Sequence, residues 1–392
     1  MHGSGGEDGA AELVARAEAL VPALAARAAA ANAARRVPDE TIADLKRSGL
    51  LRLLQPKAFG GMERDYGDFI EVIRTLTRGC PSSAWVYGVL TEHSWVVASF
   101  PEAAQREAWG ADPTALSCAS FVPTGSGERV AGGLRLAGRW PFASGCDHAQ
   151  WAILGAQVAE PDGRRGVQDC LVPIGDLAID DDWHVLGLAA TGSKSLVADG
   201  VFVPEHRVIR HEDLAAGRAP GRAVHPGMVL CRMPRSFIAS LTLVAVLLGL
   251  AQRAVDAFAD YAGRRSAGGR RAAESEIVQL ALAEAAAEAD AALLLIRRIA
   301  RDNTALVRAG ESVSQERLLT ARRDIAFAVK LARQAVDRIY AQTGAHAIYD
   351  GSPLQLVFRD THAISAHLFL KWELGALPWG RLRLGLPAEL PF

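Results

Sequence analysis

The feature that most constrains the fold is the order of three sequence patterns along the chain. Apolar residues recur at helical spacing from Ala10 to about Asp112. Between about Ala115 and His211, short runs rich in β-branched residues alternate with Gly, Asp and Pro turns. From about Met233 to Glu373 the pattern becomes helical again, with long Ala- and Leu-rich stretches. This order predicts an α+β protein in which a β-domain separates two helical regions.

The three sequence patterns divide the chain into three predicted domains. Residues 1–114 are expected to form an N-terminal α-helical domain, and residues 115–222 a central β-domain of six to eight short strands, arranged as a small barrel or sandwich. Residues 223–392 are expected to form a C-terminal four-helix bundle. Its helices are predicted over Met233–Tyr261, Ser275–Ala309 and Ser314–Thr343 and from about Leu354.

Two apolar stretches are predicted to be buried helices. Pro81–Phe100 is apolar on nearly all faces, which is typical of a central helix enclosed by protein. Phe237–Leu250 is the longest apolar run, but it contains Ser240 and Thr242 and is too short to span a bilayer. We therefore expect it to lie in the core.

Composition excludes several classes of function. The 392 residues carry a formal net charge of -1, which shows no bias toward nucleic acid or an anionic membrane. The five cysteines are scattered and never in CxxC spacing, so we expect neither a disulfide framework nor a bound metal, and a reducing cytoplasm is the natural compartment. The first residues lack the pattern of a signal peptide. No Rossmann or P-loop motif occurs.

Four segments point to a family. They are Leu136–Ala156, Asp181–Pro204, the basic loop that precedes Gln279 with the helix after it, and Thr343–His367. In this order and spacing they resemble the acyl-CoA dehydrogenase superfamily over essentially the whole chain. They look most like its flavin-dependent monooxygenase branch, which comprises the oxygenase components of two-component hydroxylases.

The first two segments correspond to the family's flavin-binding region. The resemblance implies that Ser144 forms a hydrogen bond at flavin N5 and prolongs the life of a C4a-hydroperoxyflavin. It also implies that Thr191 and Ser193 contact the flavin. Trp140 and Trp151 would wall the ring. The alternatives are ordinary turns at Ser144 and at Thr191, and tryptophans that serve only as core.

The third segment contains four arginines, of which Arg264 and Arg265 are the candidates for the flavin tail. The resemblance implies that an arginine here reaches the phosphate or adenosine of the flavin, often across a subunit interface, and the guanidinium fork suits that contact. Arg270 and Arg271 complete the cluster. A solvated charged loop is the alternative interpretation.

The fourth segment distinguishes an oxygenase from a dehydrogenase. Common acyl-CoA dehydrogenases carry a glutamate base eight to ten residues after an Arg-Asp pair, whereas His367 stands in that window after Arg359 and Asp360. The oxygenase branch has a histidine there and a second one on the buried N-terminal helix, which His93 matches. Both are predicted to be catalytic through an imidazole that titrates near neutrality. Ser120 is a candidate contact for substrate, and core histidines are the alternative.

The resemblance implies a complete reaction scheme. A separate NAD(P)H:flavin reductase would supply reduced FMN or FAD, and O2 would oxidise the flavin to the C4a-hydroperoxide that hydroxylates a small phenolic substrate. A cytoplasmic homotetramer that binds neither nucleic acid nor membrane is expected. The alternatives are N- or S-oxidation on the same fold, an acyl-CoA dehydrogenase or oxidase, and a flavin-free helical assembly protein.

Overall fold

The computed structural model describes residues 4–159, 164–267 and 270–388. The N-terminal region is helical, as predicted. Its five α-helices are α1 (Ser4–Ala34), α2 (Asp39–Arg47), α3 (Tyr66–Thr77), α4 (Pro81–Ala98) and α5 (Glu102–Trp109).

Helix α4 lies at the centre of the molecule. Every residue from Pro81 to Ala98 is buried, which confirms the prediction of a central helix enclosed on all faces. Pro81 occupies the first turn, where the missing N–H costs nothing, and the Cys80 thiol accepts a hydrogen bond from the Ser83 amide. The helix packs against α3 on one side and against the first strand of the β-domain on another.

The β-domain is one seven-stranded mixed sheet, within the predicted six to eight strands. Its strands are β1 (Ser117–Val130), β2 (Gly133–Ala143), β3 (Trp151–Ala159), β4 (Arg165–Pro173), β5 (Ala178–Asp180), β6 (Lys194–Pro204) and β7 (Val208–Arg210). The order across the sheet is β5-β6-β2-β1-β3-β4-β7. Strands β1 and β3 run parallel, and the other neighbours run antiparallel.

An irregularity in β1 positions the segment that leads into the site. The pairing of β1 with β3 shifts register between Ser120 and Gly125. Gly125 lies directly against Trp140, because a Cβ added to the glycine would come 1.9 Å from Cζ2 of that indole. The bulge therefore depends on a residue without a side chain.

The C-terminal region is a bundle of long helices. After the short helices α6 (His211–Ala215) and α7 (Gly221–Val224), it contains α8 (Arg235–Arg264), α9 (Glu276–Arg308), α10 (Gln315–Tyr340), α11 (Pro353–Ser365) and α12 (Trp372–Arg383), with a small hairpin of β8 (Ser266–Ala267) and β9 (Arg270–Arg271) between α8 and α9. The four predicted bundle helices are present, with ends shifted by a few residues.

Helix α8 is the core helix of the bundle. Its segment Ser240–Arg264 is long and apolar enough to cross a membrane, but 72% of its most apolar window is buried inside the protein. It packs against α3 and α4 as well as α9, α10 and α11. A helix covered by neighbours in this way matches the predicted core position of Phe237–Leu250.

Candidate active site

Ser144 lies where the β-domain meets α4. It directly follows β2, next to Gly145, whose φ of 72° turns the chain back toward the helix. Its hydroxyl is buried and accepts a hydrogen bond of 3.0 Å from the indole Nε1 of Trp85 on α4. The indole ring of Trp85 lies with its centroid 6.5 Å from that of His367. Trp85 therefore connects Ser144 with the histidine from the far end of the chain.

Two further hydroxyls stand behind Ser144. Ser193 Oγ is 2.6 Å from Ser144 Oγ, and Thr191 Oγ1 is 2.8 Å from Ser193 Oγ. Thr191 donates in turn to the Leu188 carbonyl over 2.8 Å. Ser193 and Thr191 are both buried, and their hydroxyls bond to Ser144, to each other and to the Leu188 carbonyl.

The turn that carries these hydroxyls is fixed from the bundle. Leu188 adopts a left-handed conformation with a φ of 56°, which a leucine rarely does without external support. That support comes from Asp360 on α11, whose Oδ1 accepts a hydrogen bond of 2.7 Å from the Leu188 amide. Burial raises the pKa of Asp360 to about 6, against the opposing effect of the Leu188 hydrogen bond.

His93 is held on α4 in one tautomer. Its Nδ1 lies 2.8 Å from the Ser117 carbonyl, which can only accept, so Nδ1 carries the hydrogen and Nε2 carries the lone pair. Its ring lies 5.8 Å from the ring of Phe121. Burial lowers the pKa of His93 to about 4. In this pocket the imidazole is therefore neutral at pH 7, instead of titrating near neutrality as the sequence led us to expect.

His367 is held in the opposite tautomer. It follows the end of α11, and its Nδ1 accepts a hydrogen bond of 3.3 Å from the Phe369 amide. In the neutral ring the hydrogen must then reside on Nε2. Burial, together with the positive charges of Arg322 and Arg235, lowers the pKa of His367 to about 4. One neutral histidine thus presents an acceptor and the other a donor.

Two arginines that the sequence analysis did not identify supply positive charge at the site. Arg235 is buried at the start of α8 with its guanidinium carbon 3.5 Å from the centroid of the Phe121 ring, and its Nε has no hydrogen-bond partner among the described residues. Arg322 on α10 is buried and donates to Ser240 Oγ over 2.7 Å. The sequence carries no local signal for either residue, because neither lies in a recognisable motif.

The two tryptophans predicted to wall the flavin lie elsewhere in the β-domain. Trp140 is fully buried inside the domain, and its Nε1 donates to the Gly155 carbonyl over 2.6 Å. Trp151 is half-buried, with the guanidinium of Arg207 5.1 Å from its ring centroid. Both are occupied by the packing of the sheet, which favours the core interpretation of these residues.

Phe142 is an aromatic residue that the sequence analysis passed over. It is 64% exposed and adopts a φ of 66°, and its ring stands edge-on to that of Trp183 at 6.1 Å. An exposed aromatic in a strained conformation, two residues before Ser144, is unusual outside functional sites. Its place at the end of β2, directly before the Ser144–Gly145 turn, was the available signal.

Ser120 and the arginines of the basic loop occupy different ends of the molecule. Ser120 is buried on β1 next to Phe121, and its hydroxyl donates to the Pro141 carbonyl over 2.8 Å. Arg265 is tied to the Thr343 carbonyl over 2.9 Å, and the side chain of Arg264 is 83% exposed. Both arginines lie at the end of α8. The rise of the 30 residues of this helix places them about 45 Å from Arg235.

The chemistry of the Ser144 region fits a flavin. The Ser144 hydroxyl donates its hydrogen to Ser193 and accepts the Trp85 N–H with one lone pair. Its second lone pair is left for a donor on a bound ligand. Phe142 offers an exposed ring beside it. A flat heteroaromatic ring with a polar edge needs this combination of an apolar face and an aligned hydroxyl. The neutral histidines then supply one acceptor and one donor for a second molecule.

Comparison with known families matches both ends of the chain. Residues 10–113 match the family described as acyl-CoA dehydrogenase, N-terminal domain. Residues 241–372 match acyl-CoA dehydrogenase, C-terminal domain.

Characterised relatives cover almost the entire chain. The flavin-dependent monooxygenase oxygenase subunit HsaA of Rhodococcus jostii (strain RHA1) is 36% identical over 376 residues, which span 95% of this chain and 98% of the relative. The FADH(2)-dependent resorcinol hydroxylase oxygenase component of Rhizobium sp. (strain MTP-10005) is 36% identical over 386 residues, 95% of this chain and 94% of the relative.

Solved structures agree with these relatives. The 3-HSA hydroxylase from Rhodococcus sp. RHA1 superposes with a TM-score of 0.92 at 36% identity, over 96% of this chain and 98% of that one. XiaF from Streptomyces sp., solved in complex with FADH2 and glycerol, also reaches 0.92, at 31% identity over 98% of both chains.

Proposed function

The chain belongs to the flavin-dependent monooxygenase branch of the acyl-CoA dehydrogenase superfamily, and we propose that it hydroxylates a small phenolic substrate with reduced flavin and O2. It is the oxygenase component of a two-component system, so a separate reductase supplies the reduced flavin. The observation that carries the choice of a phenol is the pair of neutral histidines held in opposite tautomers: His367, whose ring lies 6.5 Å from that of Trp85, the partner of Ser144, and His93, whose ring lies against Phe121.

Ser144 and Phe142 are the residues proposed to hold the flavin ring. The free lone pair of Ser144 would accept a hydrogen bond from N5–H of reduced flavin, and the exposed ring of Phe142 would shield the bound ring from water. Reduced flavin supplies the activation of O2 when it is bound. Trp140 and Trp151 are left out of this proposal because the sheet occupies them.

His93 is proposed to accept a hydrogen bond from the phenolic hydroxyl. Its Nε2 carries a lone pair, and the hydrogen bond from Nδ1 to Ser117 prevents the ring from turning over. Drawing the proton toward His93 makes the phenol ring more nucleophilic. Ser120 lies on β1, three residues after Ser117, and is proposed as a second polar contact for the substrate. Its lone pairs are available because its hydroxyl hydrogen is donated to the Pro141 carbonyl.

His367 is proposed to act as a donor. Because its Nδ1 accepts from the Phe369 amide, its Nε2–H is available to a developing negative charge in the site. The buried charges of Arg235 and Arg322 act in the same direction, since a positive environment stabilises an anion. Phenolic substrates develop such a charge, whereas thioethers do not.

The assembly and the flavin tail are further parts of the proposal. Arg264 and Arg265 lie at the end of α8 opposite Arg235, and they are proposed to serve the flavin tail of a partner subunit in a homotetramer. The reductase is expected to use NAD(P)H, the flavin to be FMN or FAD, and the compartment to be the cytoplasm. We also propose that the three domains meet at residues 114 and 222.

A dehydrogenase would need a carboxylate base at the flavin. Asp350 and Glu373 are exposed. Glu92 is buried on α4, but its partners are Thr242 and Arg235, and burial raises its pKa to about 7. Among the described residues, none of these carboxylates touches Ser144 or His367. This arrangement favours oxygen transfer over removal of a substrate hydrogen.

The proposal is tested by product analysis. The protein, reduced FMN or FAD, O2 and a series of simple phenols are mixed, and hydroxylated product is measured against released H2O2. We expect catechol or hydroquinone product, and we expect His93→Gln to divert the reaction to H2O2. Oxidation of an amine or thioether in place of any phenol would support the alternative substrates. Failure to bind either reduced flavin would overturn the proposal.

A further inference from the structure

The hydrogen bonds behind Ser144 run in one direction. The Leu188 carbonyl has no hydrogen, so Thr191 must donate its single hydroxyl hydrogen to it. Ser193 must therefore be the donor in its contact with Thr191, and Ser144 must be the donor in its contact with Ser193. One backbone carbonyl thus fixes the orientation of three hydroxyl groups.

The direction determines what Ser144 can offer to a ligand. Its hydrogen is given to Ser193, and one of its two lone pairs takes the N–H of Trp85. The remaining lone pair can accept a hydrogen bond, and no hydrogen remains to donate. Ser144 is therefore an acceptor at its free position.

We propose that the chain of Thr191, Ser193 and Ser144 hydroxyls makes the site select reduced over oxidised flavin. Reduced flavin carries a hydrogen at N5, which Ser144 accepts, whereas N5 of oxidised flavin has only a lone pair and needs a donor. The inference rests on the proposed function, in which Ser144 meets flavin N5. Thr191 and Ser193 are positioning residues in it, since they act through Ser144 and need not touch the flavin.

The size of the preference follows from counting hydrogen bonds. With reduced flavin, all three hydroxyls donate along the chain and N5 adds a fourth bond. With oxidised flavin, Ser144 can donate to N5 only if its hydrogen leaves Ser193 or if the whole chain reverses and gives up the bond from Thr191 to Leu188; either change leaves three bonds. The left-handed turn at Leu188, anchored by Asp360, keeps that carbonyl in place. One net hydrogen bond corresponds to about a three- to tenfold difference in affinity.

The test compares the affinities of full-length protein for oxidised and reduced FMN and FAD under anaerobic conditions, by flavin fluorescence and absorbance. Thr191→Val removes the anchoring donor. We therefore expect the ratio of the dissociation constant for oxidised flavin to that for reduced flavin to fall about three- to tenfold. Ser193→Ala should lower it similarly, because either change frees Ser144 to donate. A tenfold fall equals a drop of about 30 mV in the potential of the bound flavin. Thr191→Ser keeps the chain and should retain the wild-type ratio.

Controls separate this inference from the proposed function. Ser195→Ala removes a hydroxyl two residues after Ser193 that bonds Asp182 and lies outside the hydroxyl chain, so it should leave the ratio unchanged. If Ser144→Ala alters flavin affinity but Thr191→Val leaves the ratio at the wild-type value, the hydroxyl chain is refuted and the N5 contact stands. If Ser144→Ala changes the affinity for neither redox state, the flavin is not at Ser144. Both the hydroxyl chain and the proposed contact of Ser144 with flavin N5 are then refuted.

Discussion

The neutral state of His93 has a measurable consequence for stability. Burial depresses its pKa from an ordinary 6.5 to about 4, so the unfolded chain binds more protons than the folded protein between these two values. The contribution of His93 to stability is therefore fully present above pH 6.5 and is lost as the pH falls toward 4. From the two pKa values, the loss is about 2 kcal/mol at pH 5 and levels off near ~3 kcal/mol below pH 4.

His93→Gln removes this titration. We expect the difference in unfolding free energy between pH 7.5 and pH 5.0 to be smaller in the variant than in the wild type by about 2 kcal/mol. The measurement is urea denaturation followed by tryptophan fluorescence, at one fixed protein concentration because assembly would otherwise shift the midpoints. His367→Gln should act in the same sense, because burial also lowers the pKa of His367 to about 4.

His184→Gln is the matched control, because His184 is exposed on the β-domain and its replacement should leave the pH dependence unchanged. If His93→Gln loses stability between pH 7.5 and 5.0 as steeply as the wild type, His93 is not a buried neutral imidazole. The assignment of its Nε2 as the acceptor of a hydrogen bond from the phenolic hydroxyl would then lose its basis.

Three further predictions concern the sheet and the arginine cluster. Trp140→Phe should cost about 1–3 kcal/mol by leaving the Gly155 carbonyl unpaired, and should leave flavin affinity intact; weaker flavin binding by the correctly folded variant would restore Trp140 as a wall of the site. Gly125→Ala should lower the melting temperature through a clash with Trp140 worth about 1–3 kcal/mol, and an unchanged melting temperature would contradict the tight contact. Arg264→Ala should weaken flavin binding without changing the stability of the protomer, and equal affinity would remove Arg264 from the flavin tail.

The sequence alone determined the elements of this fold and the family they belong to. Helical periodicity marked α4 and α8 as core helices, because a helix that is apolar on all faces has only the interior to occupy. Local chemistry marked Ser144 at a strand-end turn, and the window after Arg359 contained His367 where a dehydrogenase has glutamate. These signals survive in sequence because each rests on residues near one another in the chain.

Tertiary structure decided what each of those residues contacts. Trp140 and Phe142 are two residues apart on β2, yet one is buried in the sheet and the other is exposed beside Ser144. The tautomers of the histidines depend on backbone groups that only folding brings near them, and Arg235 shows its buried position only once α8 packs against Phe121. The hydroxyl chain joins side chains from two segments, Ser144 after β2 and Thr191 and Ser193 in the turn before β6, to one carbonyl, that of Leu188. Its direction depends on the turn that Asp360 anchors, 172 residues further along the chain.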